Sequence, residues 1–157
     1  MGKVSGTSLM MMVGGANAYY GWGSCPTPTA VVEDLDIERY MGKWHDYYWD
    51  SSIREISADC GVHTYTLTDK KEKIYKEDYK YEVWWWPINA HGFSMDVKCL
   101  KDGTGQCDYD TSESETFNMD APKLQVLGTD YETYTVIYSC WEDWGLFYRD
   151  AVWVLTR

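Results

Sequence analysis

The stretch KIYKEDYKYEVWWW, residues 73–86, decides the fold. Tyr75, Tyr79, Tyr81, Val83 and Trp85 share one face of an extended chain, and Lys76, Asp78, Lys80, Glu82, Trp84 and Trp86 share the other. A period of two marks a half-buried strand, with the first set turned inward and the charged set toward water. The same alternation separates the three consecutive tryptophans. Trp85 belongs to the interior, while Trp84 and Trp86 cap the outer face. A pair of exposed indoles suits contact with another protein, in a homo- or hetero-oligomer; the other reading buries the pair under the N-terminal arm.

The next segment, GFSMDVKCL at residues 92–100, repeats the pattern, with Phe93, Met95 and Val97 set against Ser94, Asp96 and Lys98. Two inward rows follow, of rings, aliphatic groups and a thioether, with almost no charge. They either line a chamber or interdigitate as a filled β-core. The difference is the width of the barrel, small ligands fitting from about eight strands upward.

Outward from these two segments the β pattern runs nearly the whole chain. GKWHDYYWD, VHTYTLT, KLQVLGTD, TYTVIYSC and FYRDAVWVLTR are rich in β-branched and aromatic residues, and TDKKEK, PINAHG, KDGTG and TDYE supply the turns. QCDYDTSESETFN, from residue 106, is a polar candidate for one more strand. LDIERYMG makes one short helical turn ended by Gly42, and YYGWGSCPTPTAVVED before it reads as an irregular arm. Short strands in succession with hairpin spacing predict an all-β antiparallel barrel or sandwich.

The 157 residues form one domain with room for a single core. The aromatic fraction of 17% exceeds what such a core uses, which points to a lined cavity or a contact surface. Twenty-five acidic against fourteen basic residues give a net charge of −11, a field that repels phosphate backbones and argues against nucleic acid as a partner. No apolar run approaches the roughly 18 residues of a membrane span. Lys3, the apolar patch SLMMMVGG and Ala16-Asn17-Ala18 read as a secretory signal over residues 1–18, leaving residues 19–157 as the mature domain. Five cysteines fit an oxidising, extracellular setting. Cys99 and Cys107 flank a Gly-rich hairpin, and a bridge across its base is expected; Cys25, Cys60 and Cys140 then leave one odd thiol. No cysteine pair has C-x-x-C spacing and the three histidines are far apart, so no zinc site is expected.

MGKWHDYYW, TDYETY and AVWVLTR resemble, in this order, the three motifs of the lipocalin family, over about residues 25–157. CPTP and GTDYETYTVIYSC are most similar to crustacyanins, apolipoprotein D and the insect bilin-binding proteins. The resemblance implies an eight-stranded up-and-down barrel behind a short N-terminal helical turn. The helix that family members carry after the third motif is expected to be missing from this sequence, leaving Cys60 without its usual partner. It also implies a Cys25–Cys140 bridge, worth roughly 3–5 kcal/mol through the long loop it closes. Gly42, Trp44, Thr129, Asp130, Tyr131 and Arg157 fall on the motifs. Gly42 permits the passage from helix to strand, Trp44 plugs the closed end, and Arg157 lies across its indole for about 0.5–2 kcal/mol.

By the same resemblance the function is that of a secreted protein binding a small hydrophobic ligand without catalysing a reaction. The ligand is a carotenoid of the astaxanthin type or, second, a bilin or other tetrapyrrole. Tyr79, Tyr81, Val83, Trp85, Phe93, Met95, Val97 and Leu127 would supply apolar area, and Thr64, Gln125 and Tyr138 the polar contacts that orient the guest. His63 is read on the strand face opposite Thr64, His91 in a turn, and His45 facing away from Trp44; all three are taken as structural or surface residues. The alternative from another class is a lipocalin-type isomerase or de-epoxidase working through Cys60 or Asp46, neither with an evident base nearby.

Overall fold

The computed structural model describes residues 20–28, 30–51, 58–83, 91–100, 102–110 and 123–157. A short strand β1 (Tyr20–Trp22) is followed by helix α1 (Ile37–Tyr40) and eight longer strands: β2 (Gly42–Ser51), β3 (Ala58–Asp69), β4 (Ile74–Val83), β5 (His91–Cys99), β6 (Gln106–Asp110), β7 (Lys123–Thr129), β8 (Tyr134–Asp143) and β9 (Phe147–Thr156). Each of β2 to β8 pairs antiparallel with its successor, and β9 pairs with both β8 and β2. The sheet therefore closes on itself, which leaves no open edge among the eight strands. The polar segment after residue 106 does contribute a strand, because Cys107 turns inward while Gln106 and Asp108 face water.

The N-terminal arm departs from the irregular reading. Pairing of β2 with β9 stops at Ser51 and Ala151, so the first residues of β9 extend past it. Tyr20, Gly21 and Trp22 fill that vacancy opposite Arg149, Tyr148 and Phe147 and satisfy backbone groups that β2 does not reach. Four further irregularities curve the wall: register shifts fall between Asp46 and Tyr48, Asp59 and Val62, Leu67 and Asp69, and Val126 and Gly128.

One end of the barrel is shut by the motif residues. Asp36 caps α1 by accepting the Arg39 N–H at 3.2 Å. Gly42 then takes φ +114°, a left-handed conformation that a side chain disfavours, and the chain turns directly into β2. Trp44 is wholly buried and donates from Nε1 to the Tyr40 carbonyl at 3.0 Å. The Arg157 guanidinium lies 4.3 Å from the centre of the Trp44 ring system and donates to the carbonyls of Arg39, Tyr40 and Met41. Asp130 organises the neighbouring β7–β8 turn, accepting from the N–H groups of Glu132, Thr133 and Tyr134 and from the Thr133 hydroxyl, which holds its carboxyl well below the usual range. Thr129 accepts from the Tyr131 N–H, and Tyr131 reaches across to the backbone of Asp34 and Asp36.

Both expected disulfides are present. Cys99 and Cys107 are register partners across β5 and β6, and Cys25–Cys140 fastens the arm to the outside of β8. Cys60 is free and exposed. The leader expected at residues 1–18 and the tryptophans Trp84, Trp85 and Trp86 lie outside the described residues.

Candidate ligand-binding site

Paired residues of adjacent strands share a face, so the register shows which side chains enter the barrel. Trp44 pairs with His63, His63 with Tyr79, Tyr79 with Phe93, and Tyr75 with Val97. Trp44, Tyr75 and Val97 have no exposure, which fixes this face as the interior. Tyr79, Phe93, Met95 and Val97 stand where the alternation put them. Tyr81 follows Tyr79 on the same face, their rings stacked with centroids 5.3 Å apart; the Val83 side chain lies outside the described residues.

Three of the expected polar contacts stand elsewhere. Thr64 pairs with Asp78 on the outer face; His63 beside it is the residue that enters, 6% exposed. Gln125 and Tyr138 pair with each other on the outside of β7 and β8, where Cys25, Pro26 and Thr27 of the arm cover them. Their burial comes from the disulfide-tethered arm and not from the chamber. Leu127 lies at the β7 bulge, half-buried, between the buried Val126 and Gly128.

The interior is also not free of charge. Glu77, between Tyr75 and Tyr79 on the inward face of β4, is 1% exposed, and Asp46 of β2 points to the same level. His63 joins them, with Nδ1 2.6 Å from Glu77 Oε1 and Nε2 2.9 Å from Asp46 Oδ1. Two phenols complete the layer: the Tyr79 hydroxyl donates to Asp46 Oδ2 at 3.0 Å, and the Tyr109 hydroxyl to Glu77 Oε2 at 2.9 Å. Burial alone would lower the pKa of His63, but the hydrogen bonds and charges of Asp46 and Glu77 outweigh it and raise the pKa to about 9. The ring is an imidazolium at neutral pH, clasped between two carboxylates. Burial beside those carboxylates pushes the Tyr79 and Tyr109 hydroxyls well above the ordinary phenol range.

Gly61 makes room for this layer. A Cβ at Gly61 would stand 1.8 Å from Asp46 Oδ2 and 2.7 Å from the Tyr79 hydroxyl. The pairing of β2 with β3 brings His63 beside Asp46, a neighbour not evident from spacing along the chain, and its ring nitrogens are both held by carboxylates. The three charged groups bond one another directly, and among the described residues no cluster of His, Cys, Asp and Glu is arranged to hold a metal ion. His45 is exposed, as the alternation has it.

The charged layer divides the barrel. Toward the closed end Trp44, Tyr65, Tyr75, Leu124 and Leu155 pack as a filled core. On the other side Phe93 sits on the inward register, its ring 5.3 Å from that of Tyr79, yet is 45% exposed.

The architecture is a closed antiparallel cup, plugged at one end and floored partway by an Asp–His–Glu layer. Over 143 residues the chain is 29% identical to apolipoprotein D of Mus musculus, the match covering 86% of this chain and 67% of that one. Among solved structures, insecticyanin from the tobacco hornworm Manduca sexta superposes with a TM-score of 0.65 at 19% identity, over 89% of this chain and 72% of that one. Apocrustacyanin C1 does so with a TM-score of 0.59 at 17% identity, over 88% and 73%. No family model matches the chain. With the three motifs in place on this barrel, the chain is similar to the lipocalin family in sequence and in fold.

Proposed function

We propose that this protein is an extracellular carrier that holds a small, extended hydrophobic molecule in the upper half of its cup. The observation that carries the reading is Phe93, a large apolar ring that faces inward and is nonetheless 45% exposed. An inward ring left in contact with solvent is a wall waiting for a guest. Each Å² of apolar surface that a ligand covers there gains about 25 cal/mol before entropy costs. Tyr79, Tyr81, Phe93 and Met95 form that wall, with Val83, Trp85 and Leu127 assigned to it from strand position, and Val97 anchors it to the packed core below.

The first ligand class is a carotenoid pigment of the astaxanthin type, on the strength of the motifs shared with crustacyanins; a bilin is the second. His63 argues for binding over catalysis, since both of its ring nitrogens are committed to carboxylates and neither is free to take a proton from a substrate. The two disulfides suit secretion, with residues 1–18 as the leader. Trp84 and Trp86 are assigned to oligomer contact.

Titration with a carotenoid, biliverdin, retinol and a fatty acid, followed by tryptophan quenching and visible absorption, tests the proposal. Saturable binding with a displaced pigment band is expected for the first or second ligand. A pigment that binds with an unchanged spectrum rejects colour tuning, and failure of all four rejects the carrier function.

A further inference from the structure

The floor of the cup has a hydrogen-bond sense. As an imidazolium between two carboxylates His63 donates from both ring nitrogens, the Tyr79 hydroxyl donates to Asp46, and the Tyr109 hydroxyl donates to Glu77. Every donor of the layer is therefore spent inside it. What remains is acceptor capacity: each carboxylate offers about four lone-pair sites over its two oxygens, and a phenol oxygen that has donated still accepts. The charge has a sense as well, because two carboxylates share a single imidazolium and leave one negative charge over.

Among the described residues nothing else on the inward register offsets that charge. Lys43, Lys76, Lys80, Lys98 and Lys123 all alternate to the outer face and are exposed. Arg149, on the inward register of β9 near the rim, is forked onto Asp143, with Nε 2.7 Å and Nη2 3.0 Å from its carboxylate oxygens. Arg157 lies behind the Trp44 plug at the closed end.

From this inventory we infer that the cup selects hydrophobic molecules whose buried end donates a hydrogen bond or carries a positive charge, such as an amine, a hydroxyl or a pyrrole N–H, and rejects the same molecules ending in a carboxylate. A buried carboxylate would meet acceptors with no donor to spare and a like charge in a medium that screens poorly. An incoming donor finds a lone pair at once. Tyr79 places this chemistry within reach of a guest, since it is only half-buried and packs against Phe93. The inference rests on the carrier function proposed above and adds the polarity of the ligand to it.

Retinylamine, retinol and retinoic acid share one polyene and differ in the end group. The full chain is titrated with each at pH 7 and tryptophan quenching gives the three dissociation constants. The amine and the alcohol are expected to bind at least about tenfold more tightly than the acid. Asp46→Asn and Glu77→Gln keep the shape but remove a charge and add a donor, so each should bring the ratio toward one in a chain with native near-ultraviolet circular dichroism. Equal affinity for acid and alcohol overturns the inference, and so does a preference that survives the substitutions. Should Glu77→Gln not fold, Asp46→Asn decides alone, its side chain being the more exposed at 9% against 2%. Failure of all three retinoids to bind is a different result and removes the carrier function itself.

Discussion

His63 Nδ1 stands 2.6 Å from Glu77 Oε1, although the two residues are not register partners. His63 pairs with Tyr79, and Glu77 pairs with Tyr65. The contact is diagonal across β3 and β4, the separation that long side chains bridge on one face of an antiparallel pair. It commits an ionisable ring to the inside of a barrel whose buried residues are mostly aromatic and aliphatic.

The pH dependence of stability follows with a definite sign. Folding raises the pKa of His63 from an ordinary 6.5 to about 9. The stabilisation is therefore complete below pH 6.5 and is lost as pH rises through about 9, on the order of 3 kcal/mol in all. Urea unfolding midpoints should fall between pH 6 and pH 9, ahead of any phenol titration, and a His63→Gln chain should show a much flatter profile. Equal profiles for the two chains would show that the ring carries no linked proton.

Gly61 should not tolerate a methyl group. The added carbon of Gly61→Ala would overlap Asp46 Oδ2 and press on the Tyr79 hydroxyl, so the charged layer must break or the strand must shift. A loss of about 2–4 kcal/mol by denaturant titration is expected. A change under about 0.5 kcal/mol would mean that the wall yields freely there.

Removing the Arg157 side chain should loosen the closed end. It covers the Trp44 indole and donates to the carbonyls of Arg39, Tyr40 and Met41, sharing that of Tyr40 with the Trp44 Nε1–H. Arg157→Ala is expected to cost about 1–3 kcal/mol, and Arg157→Lys to recover only part, because a point charge cannot both stack and fork. Full recovery by lysine would reduce the contact to simple charge.

The two disulfides should differ in worth. Cys25–Cys140 spans 115 residues and Cys99–Cys107 spans 8. On loop length alone, the alanine pair at 25 and 140 should lose about 2 kcal/mol more than the pair at 99 and 107. Thermal melts of the two variants compare them directly, and a reversed order would place the value of the short bridge in the β5–β6 hairpin itself.

Much of the fold was legible before the structure because a closed barrel depends on local signals. Alternation in β4 and β5 named the inward rows, Gly42 and Trp44 marked the passage from helix to strand, and a Gly-rich turn between two cysteines marked a bridged hairpin. The site was less legible. Glu77 occupies an inward position between Tyr75 and Tyr79, and its place in the alternation was the available signal. In β3 the rings of His63 and Tyr65 share the face opposite Thr64 and Thr66, and bulk favours the rings inside. What no single strand reveals is register: that Asp46, His63 and Glu77 meet depends on three strands sliding into one alignment. Gln125 and Tyr138 misled for another reason, since their partial burial comes from an arm pinned outside the barrel.

The location of the guest is tested most directly by methyl-labelled methionine NMR during a ligand titration. Met95 lies on the inward face of β5 beside the exposed ring of Phe93, whereas Met41 lies at the plugged end. A carotenoid or retinol filling the upper cup should shift the Met95 methyl signal in a saturable way and leave Met41 in place. A ligand that saturates the protein while Met95 stays unmoved would contradict the account.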